Sequence, residues 1–431
     1  MIRILYQLVV YLLVPVACVA LGLRSLREKN YRGGFAERFG FGASSAAPSI
    51  WVHAVSVGEV QAASELVKEL RRRYPDVPLT LTTVTPTGAA RARALFGADV
   101  DVRYVPYDLI GSVRRFFDRV RPRIAVILET ELWPNLYDEC GRRGVPLVLA
   151  SARISPRSVG RYRKLASLFR EALSNGIVIA AQSKGDAERF VSIGANPLRT
   201  YVIGNVKFDL HVPADHRERG AALRTRHAAR DRFVWVAGST HEGEEQLVLQ
   251  AQAALRAAGV DALLVLAPRH PPRFPTVAAR LQSAGLSFVR CSTGSSATAS
   301  TDVVLLDSIG ELSQYYAAAD LAFVGGSLVP IGGHNLLEPA ALGVATITGP
   351  HVFNAEDVAA ALVADGAVSL VQDGESLTRT VLALASDADE RRRRGASGIA
   401  VVDRNRGTLE RLLELLAPLL SATSPSPSTT R

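Results

Sequence analysis

The sequence predicts an α/β protein made of two doubly wound parallel sheets, preceded by one apolar N-terminal segment. From residue 50 onward short β-branched runs alternate with amphipathic stretches, the rhythm of successive βα units. At 431 residues the chain exceeds the roughly 250–300 at which a single core stops growing, so two domains are expected. Ahead of them, residues 4–23 carry no charge and reach the ~20 that a helix needs to cross a hydrocarbon core. Hydrophobic residues are 48% and charged residues 21%, which leaves little room for disorder outside the ends. Only the Ser/Thr/Pro-rich stretch 421–431 reads as a loose tail.

The apolar segment reads either as a retained anchor or as a cleaved signal peptide, since Ala17-Cys18-Val19-Ala20 offers small residues where cleavage would fall. Only Arg3 precedes it, whereas Arg24, Arg27, Lys29, Arg32 and Arg38 follow it. Positive charge stays on the cytoplasmic side, so the expectation is a single-pass anchor at residues 1–24 with the body of the chain in the cytoplasm. Each basic residue near anionic lipid adds about 1 kcal/mol of attraction. The net charge of +9 fits an anionic partner but does not choose among nucleic acid, membrane and phosphorylated substrate. Cys18, Cys140 and Cys291 are odd in number and lack the spacing of a zinc or redox motif, which points to a reducing compartment.

In the first domain, 25–210, the runs 50–54, 79–84, 124–128, 147–149, 177–181 and 201–203 read as buried strands. Stretches 60–73, 87–95, 109–120 and 187–193 read as helices between them. The second domain, 211–420, repeats the pattern with strands at 233–237, 262–266, 288–290, 303–305, 321–324 and 344–348. Two such domains are expected to face a cleft lined by the carboxyl ends of their strands, where open α/β sheets bind ligands.

The candidate chemistry lies at those strand ends. Val57-Gly58-Glu59 follows the first strand, and Glu59 there is either a helix-capping residue or a general base for a hydroxyl that must lose its proton. Glu129 and Glu131 follow the strand 124–128, placed either to orient a hydroxyl or to pair with Arg123 or Arg153. In the second half, Gly325-Gly326 ends one strand, and Gly332-Gly333-His334-Asn335 leads to a helix expected to begin near Asn335. Amides freed by glycines at a helix start form an anion site, so a phosphate is expected at Gly332–Asn335, with Glu338 one turn on and able to accept from ribose hydroxyls. Three further loops belong to the same edge: Ser239-Thr240-His241, Pro268-Arg269-His270 and Ser308-Ile309-Gly310. No Lys-Ser/Thr follows the glycines, which argues against a nucleoside triphosphate hydrolase, and no clustered ligand set points to a metal.

Seven strings, in order, resemble the family of Kdo (3-deoxy-D-manno-octulosonic acid) transferases that act on lipid A precursors. They run from Arg32-Gly-Gly-Phe-Ala-Glu-Arg-Phe-Gly40 through Trp51-Val-His-Ala-Val-Ser-Val-Gly-Glu-Val60, Glu129-Thr-Glu-Leu-Trp-Pro-Asn135, Gly204-Asn-Val-Lys-Phe-Asp209, Ala237-Gly-Ser-Thr-His-Glu242 and Ala267-Pro-Arg-His-Pro271 to Gly332-Gly-His-Asn-Leu-Leu-Glu-Pro339. The likeness covers residues 32 to about 357. It implies a GT-B glycosyltransferase that moves Kdo, with inversion and without a metal, from CMP-Kdo to the lipid IVA disaccharide at the inner membrane; no nucleic acid is expected as a partner.

Carried over by position, the resemblance makes Glu59 the general base and Glu129 a second acidic residue needed for activity. Lys207 lies in a donor-side string, and Ser239, Thr240, Pro268, Arg269, Ser308, Ile309, Gly310, Gly332, Gly333, His334, Asn335 and Glu338 match CMP-binding loops. Arg32 and Arg38 would face the membrane and the lipid phosphates. Two other readings compete: a UDP-sugar enzyme would share the glycine loop and Glu338, and a noncatalytic anionic-lipid-binding protein would have no need of Glu59.

Overall fold

The computed structural model describes residues 2–27, 33–164, 173, 176–210 and 212–422. The chain divides into two compact units, Met1–Asp209 with Arg406–Arg431, and Leu210–Asn405. In the first, a long helix α1 (Ile2–Arg27) precedes a seven-stranded parallel sheet of order β3-β2-β1-β4-β5-β6-β7. Its strands are β1 Ser49–His53, β2 Leu79–Thr83, β3 Asp101–Tyr104, β4 Pro122–Leu128, β5 Leu147–Ala152, β6 Val178–Ala181 and β7 Thr200–Val202. The second unit holds another parallel sheet, order β10-β11-β9-β8-β12-β13-β14. Here β8 is Phe233–Thr240, β9 Ala262–Pro268, β10 Phe288–Arg290, β11 Val303–Leu305, β12 Leu321–Val324, β13 Ala345–Thr348 and β14 Val368–Leu370.

Parallel strands covered on both faces bury every residue, which is why β1, β4 and β8 read as continuous apolar runs. Each sheet core encloses one fully buried Trp whose indole N–H finds a partner: Trp51 donates to Thr82 Oγ1 at 2.8 Å and Trp235 to Gln252 Oε1 at 2.7 Å. In both sheets the strand order reverses beside the first strand, β1 against β4 and β8 against β12. In each unit, the loops leaving those two carboxyl ends therefore frame the crevice in which such a sheet binds ligands.

The structure departs from expectation in several places. Edge strands β3 and β14 have no counterpart in the sequence reading; each is short, and each is exposed or half-buried over part of its length. The helix foreseen from Val60 begins at Val57 and breaks at Ala63, giving α2 (Val57–Ala62) and α3 (Ser64–Arg73). Then follow α4 (Pro86–Phe96), α5 (Ile110–Val120) and α6 (Pro134–Arg143), the last unforeseen.

The largest correction concerns the C-terminus, assigned to the second domain through residue 420. The helix Thr408–Ala422 belongs instead to the first unit. Leu412, Leu413, Leu416 and Leu420 form a stripe that completes the core around Ile50, Leu66 and Ile124. Asp209 fixes the return of the chain by accepting from Gly407 N and Leu409 N, both at 2.6 Å. Leu416→Ala should cost about 2–4 kcal/mol, the usual range for emptying a sealed leucine site. Amide hydrogen exchange should then accelerate in β1 and β4 and stay unchanged in β8 and β12.

Candidate active site

In the first unit the chain leaves β1, turns at Ser56 and enters α2. Ser56 caps this helix by accepting from Glu59 N at 3.4 Å. The Glu59 carboxylate reaches back, accepting from Val55 N at 2.8 Å and from the Ser56 hydroxyl at 3.2 Å. Glu59 thus takes part in the helix start, one of the two roles the sequence left open, and the same contacts hold its carboxyl in one orientation. Burial, then the nearby charge of Glu129, then that of Glu131 push its pKa up to about 7, against the opposing pull of Val55 N–H and Ser56.

Glu129 leaves β4 with a left-handed backbone, φ 59°, a conformation that costs a non-glycine residue about 1–3 kcal/mol. Two bonds hold it there: its N–H donates to Ala150 O at 2.9 Å, and its carboxylate receives the Lys207 ammonium at 2.6 Å. Lys207 was expected on the donor side, yet it stands in the first unit as the cation of this acidic group. A short turn, Val206–Phe208, carries it, capped by Asn205 and tied to Ser151 Oγ at 3.0 Å. Arg123, one of the two cations the sequence offered, donates to Leu420 O. Glu131 accepts from Trp133 Nε1 at 2.9 Å, and its carboxyl too is pushed up by burial. Beside them, α4 begins at Thr85, and a Cβ on Gly88 would stand 2.5 Å from Thr83 Oγ1, so only glycine lets this helix end meet the Ser56 turn.

Arg38 does not turn toward solvent or lipid. It is buried, donates to Val84 O at 2.8 Å, and lies 4.1 Å from the centre of the Tyr104 ring. A short glycine-ended turn, Glu37–Phe39, pulls it inward, with Glu37 held on Tyr104 N at 2.8 Å. Arg32 lies outside the described residues.

In the second unit the loop after β8 and the loop after β12 are fastened together by Glu244, which sequence reasoning missed. Its fully buried carboxylate accepts four amides: His241 N at 2.9, Gly326 N at 2.7, Ser327 N at 3.0 and Leu328 N at 2.9 Å. Gly325 has to be glycine, because a Cβ there would stand 2.7 Å from Ser239 O and 2.8 Å from Thr240 Cα. Gly332 and Gly333 both have positive φ, and Gly333 N returns to Gly326 O at 2.7 Å.

This folding back stacks His334 on His241, with ring centres 5.1 Å apart and their Nε2 atoms at 2.8 Å. One of the two must carry the hydrogen and the other accept it. Burial, then the Arg269 charge, lowers His334 to about 3; burial, then His270 and Arg269, lowers His241 to about 4. At neutral pH both rings are neutral, so Arg269 supplies the cation near this site. Arg269 is exposed, and its amide donates to Thr240 O at 2.9 Å.

The helix expected from Asn335 is a single turn, Leu337–Ala341. Asn335 organises it, accepting from Leu337 N and donating to Glu338 Oε1, both at 3.0 Å. Glu338 therefore sits in the first turn, not one turn along, and burial raises its carboxyl. Thr240 is fully buried with its hydroxyl turned into the protein, and Pro268 ends β9 inside the sheet, so neither offers a side chain to a ligand. Ser239 keeps a left-handed backbone, φ 56°. Ser308, Ile309 and Gly310 form a separate turn after β11, where Ile309 is 77% exposed and the Ser308 hydroxyl donates to Glu311. Among the described residues, no three His, Cys, Asp or Glu side chains converge as metal ligands.

The model of the family "3-Deoxy-D-manno-octulosonic-acid transferase (kdotransferase)" matches residues 33–210. A 3-deoxy-D-manno-octulosonic acid transferase of Haemophilus influenzae is 40% identical over 422 residues, 97% of this chain and 99% of that one. Another, of Bordetella pertussis, is 40% identical over 395 residues, 88% of this chain and 90% of its own. Among solved structures, MurG of Acinetobacter baumannii covers 86% of this chain and 100% of itself at a TM-score of 0.55 and 14% identity, a likeness of fold alone, and the fold is GT-B as expected. Identity that runs from the apolar helix through both sheets places this chain in the Kdo transferase family.

Proposed function

We propose that the chain transfers Kdo from CMP-Kdo to lipid IVA with inversion at the anomeric carbon, and that Glu59 is the general base. The observation that carries this reading is a buried carboxyl at the β1 end, fixed by Val55 and Ser56 and poised to titrate near 7. A base works best when its pKa lies near the working pH. The acceptor hydroxyl gives its proton to Glu59 as its oxygen bonds to the anomeric carbon of Kdo. The bond from that carbon to the phosphate oxygen breaks with its electron pair, and CMP leaves. Arg269 meets the phosphate, Gly332–Asn335 shape its loop, and Glu338 accepts from the ribose hydroxyls. Glu129, held in place by Lys207, is a neighbouring negative charge that holds up the proton affinity of Glu59. The α1 helix attaches the enzyme to the cytoplasmic face of the inner membrane.

Glu59→Gln should reduce turnover at least ~100-fold, the scale of a lost general base, with CMP binding unchanged. The same variant should be more stable at pH 8. In the folded chain the Glu59 carboxyl is raised from its ordinary 4.5 to about 7, so ionising it opposes folding, and stability falls as pH rises through that window. Removing the charge should raise stability by about 1–2 kcal/mol, read by thermal melting. In the wild type, kcat/KM should rise with pH through an apparent pKa near 7. Glu129→Gln, which removes a neighbouring negative charge, should move that limb about half a unit to one unit toward acid in the residual activity. For the donor, CMP should inhibit at least ~10-fold more strongly than UDP; equal inhibition would favour a UDP-sugar.

A further inference from the structure

The N-terminal helix makes contacts that a membrane-crossing helix cannot make. Arg3 pairs with Asp138 at 2.6 Å, the Tyr6 hydroxyl donates to Asp108 Oδ2 at 2.6 Å, and Gln7 hydrogen-bonds the Asn135 amide. All three partners belong to the sheet-bearing part of the first unit, which follows the other end of the helix in the chain. If α1 crossed a bilayer, about 30 Å of hydrocarbon would separate residue 3 from that unit.

One face of α1 is partly covered along its length. Gln7, Val10, Val14, Cys18, Leu21 and Ser25 recur at helical spacing and are half-buried, whereas Leu5, Leu8, Leu12, Val16, Val19 and Leu23 are 57–72% exposed on the remaining surface. Cys18 lies near Tyr107, whose ring packs on Phe39, and Phe39 on Phe35. Phe35 and Phe41 are 50% and 46% exposed, and the guanidinium of Arg115 lies 4.5 Å from the Phe41 ring centre. Near Cys18 the helix thus lies beside a partly exposed aromatic patch flanked by cations.

We infer that α1 lies in the plane of the membrane, docked lengthwise on the first unit, with its outer face immersed in the lipid surface and its N-terminus on the same side as the catalytic units. The occupant of that face is lipid. It is uncharged from Ile4 to Leu23, and the patch beside it combines exposed aromatic rings with cations, the composition of a helix at the boundary between headgroups and acyl chains. This replaces the single-pass crossing expected from length and hydropathy alone. It rests on α1 as a membrane element and not on the donor, the acceptor or the base.

The test uses the full chain in inner-membrane vesicles of known orientation, with Cys18, Cys140 and Cys291 replaced by Ser. Ile2→Cys and Leu198→Cys, the latter on the 84% exposed surface of the first unit, are probed separately with a membrane-impermeant maleimide. Both should react from the same side; reaction of position 2 only from the opposite side overturns the inference. Independently, Leu12→Trp is read against the parent protein in vesicles whose acyl chains are brominated at a shallow or a deep position. Stronger quenching by the shallow bromines is expected. Stronger quenching by the deep ones means a crossing helix, and none by either means that protein, such as a second copy, covers the face; both outcomes overturn it. Neither readout requires turnover, so failure here leaves the transfer chemistry standing.

Discussion

Three carboxyl groups share one ammonium at the carboxyl edge of the first sheet, and the acidic half of the active site depends on that imbalance. Glu129 and Glu131 both raise the Glu59 carboxyl, and among the described residues the Lys207 ammonium bonds to Glu129. A single cation holds the middle acid without drawing the others down. Burial and its acidic neighbours push the Glu59 carboxyl up to about 7, as the proposed base requires. The geometry that keeps it there is local: a serine cap, one amide and a tight helix start. Glu129 is held differently, by a left-handed backbone that the β5 ladder and Lys207 together keep in place. Strain at a strand end is tolerated here because two independent bonds oppose its release.

In the second unit a carboxylate does structural work of another kind. Glu244 takes the amides of Gly326, Ser327 and Leu328 for itself, in the manner that a glycine loop at a helix start takes a phosphate. Those amides are therefore unavailable to a ligand. Gly333 N is likewise taken, by Gly326 O, and Arg269 brings a positive charge to this loop. The neutral pair His241 and His334 forms a wall between the two loops. Because burial and Arg269 both disfavour a second charge there, the wall stays uncharged and does not compete with Arg269 for an anionic group.

How far the sequence disclosed this depended on how local each feature is. The buried strands announced themselves because parallel sheets covered on both faces need unbroken apolar runs, whereas β3, which starts at an exposed Asp101 and carries a buried Arg103, gave no such signal. Glu59 and Glu129 could be placed because each directly follows a recognisable strand. The partner of Glu129 could not, since Lys207 lies 78 residues away and its own string carried no mark of direction. Glu244 escaped for the same reason: its amides come from a loop more than 80 residues on. The C-terminal helix was assigned to the nearer domain by chain order, yet its leucine stripe fits the first sheet. Only three-dimensional packing tells an amphipathic helix which apolar surface it will cover.

The same limit applies to α1, and there it bears on function. Hydropathy measures whether a helix tolerates lipid and is silent on how the helix is oriented. Orientation comes from polar contacts, and here they converge on Asp108. This carboxylate accepts from Tyr6 and also from Asn135 N and Leu136 N at the start of α6, immediately after the segment that carries Glu129 and Glu131. Membrane attachment and the acidic edge are thus braced by one side chain. A crossing helix would be a tether, free to let the site drift from the lipid surface. A helix docked in the membrane plane, as inferred above, would fix the height of the first sheet relative to the headgroups, the level at which the proposed lipid acceptor would expose its sugar.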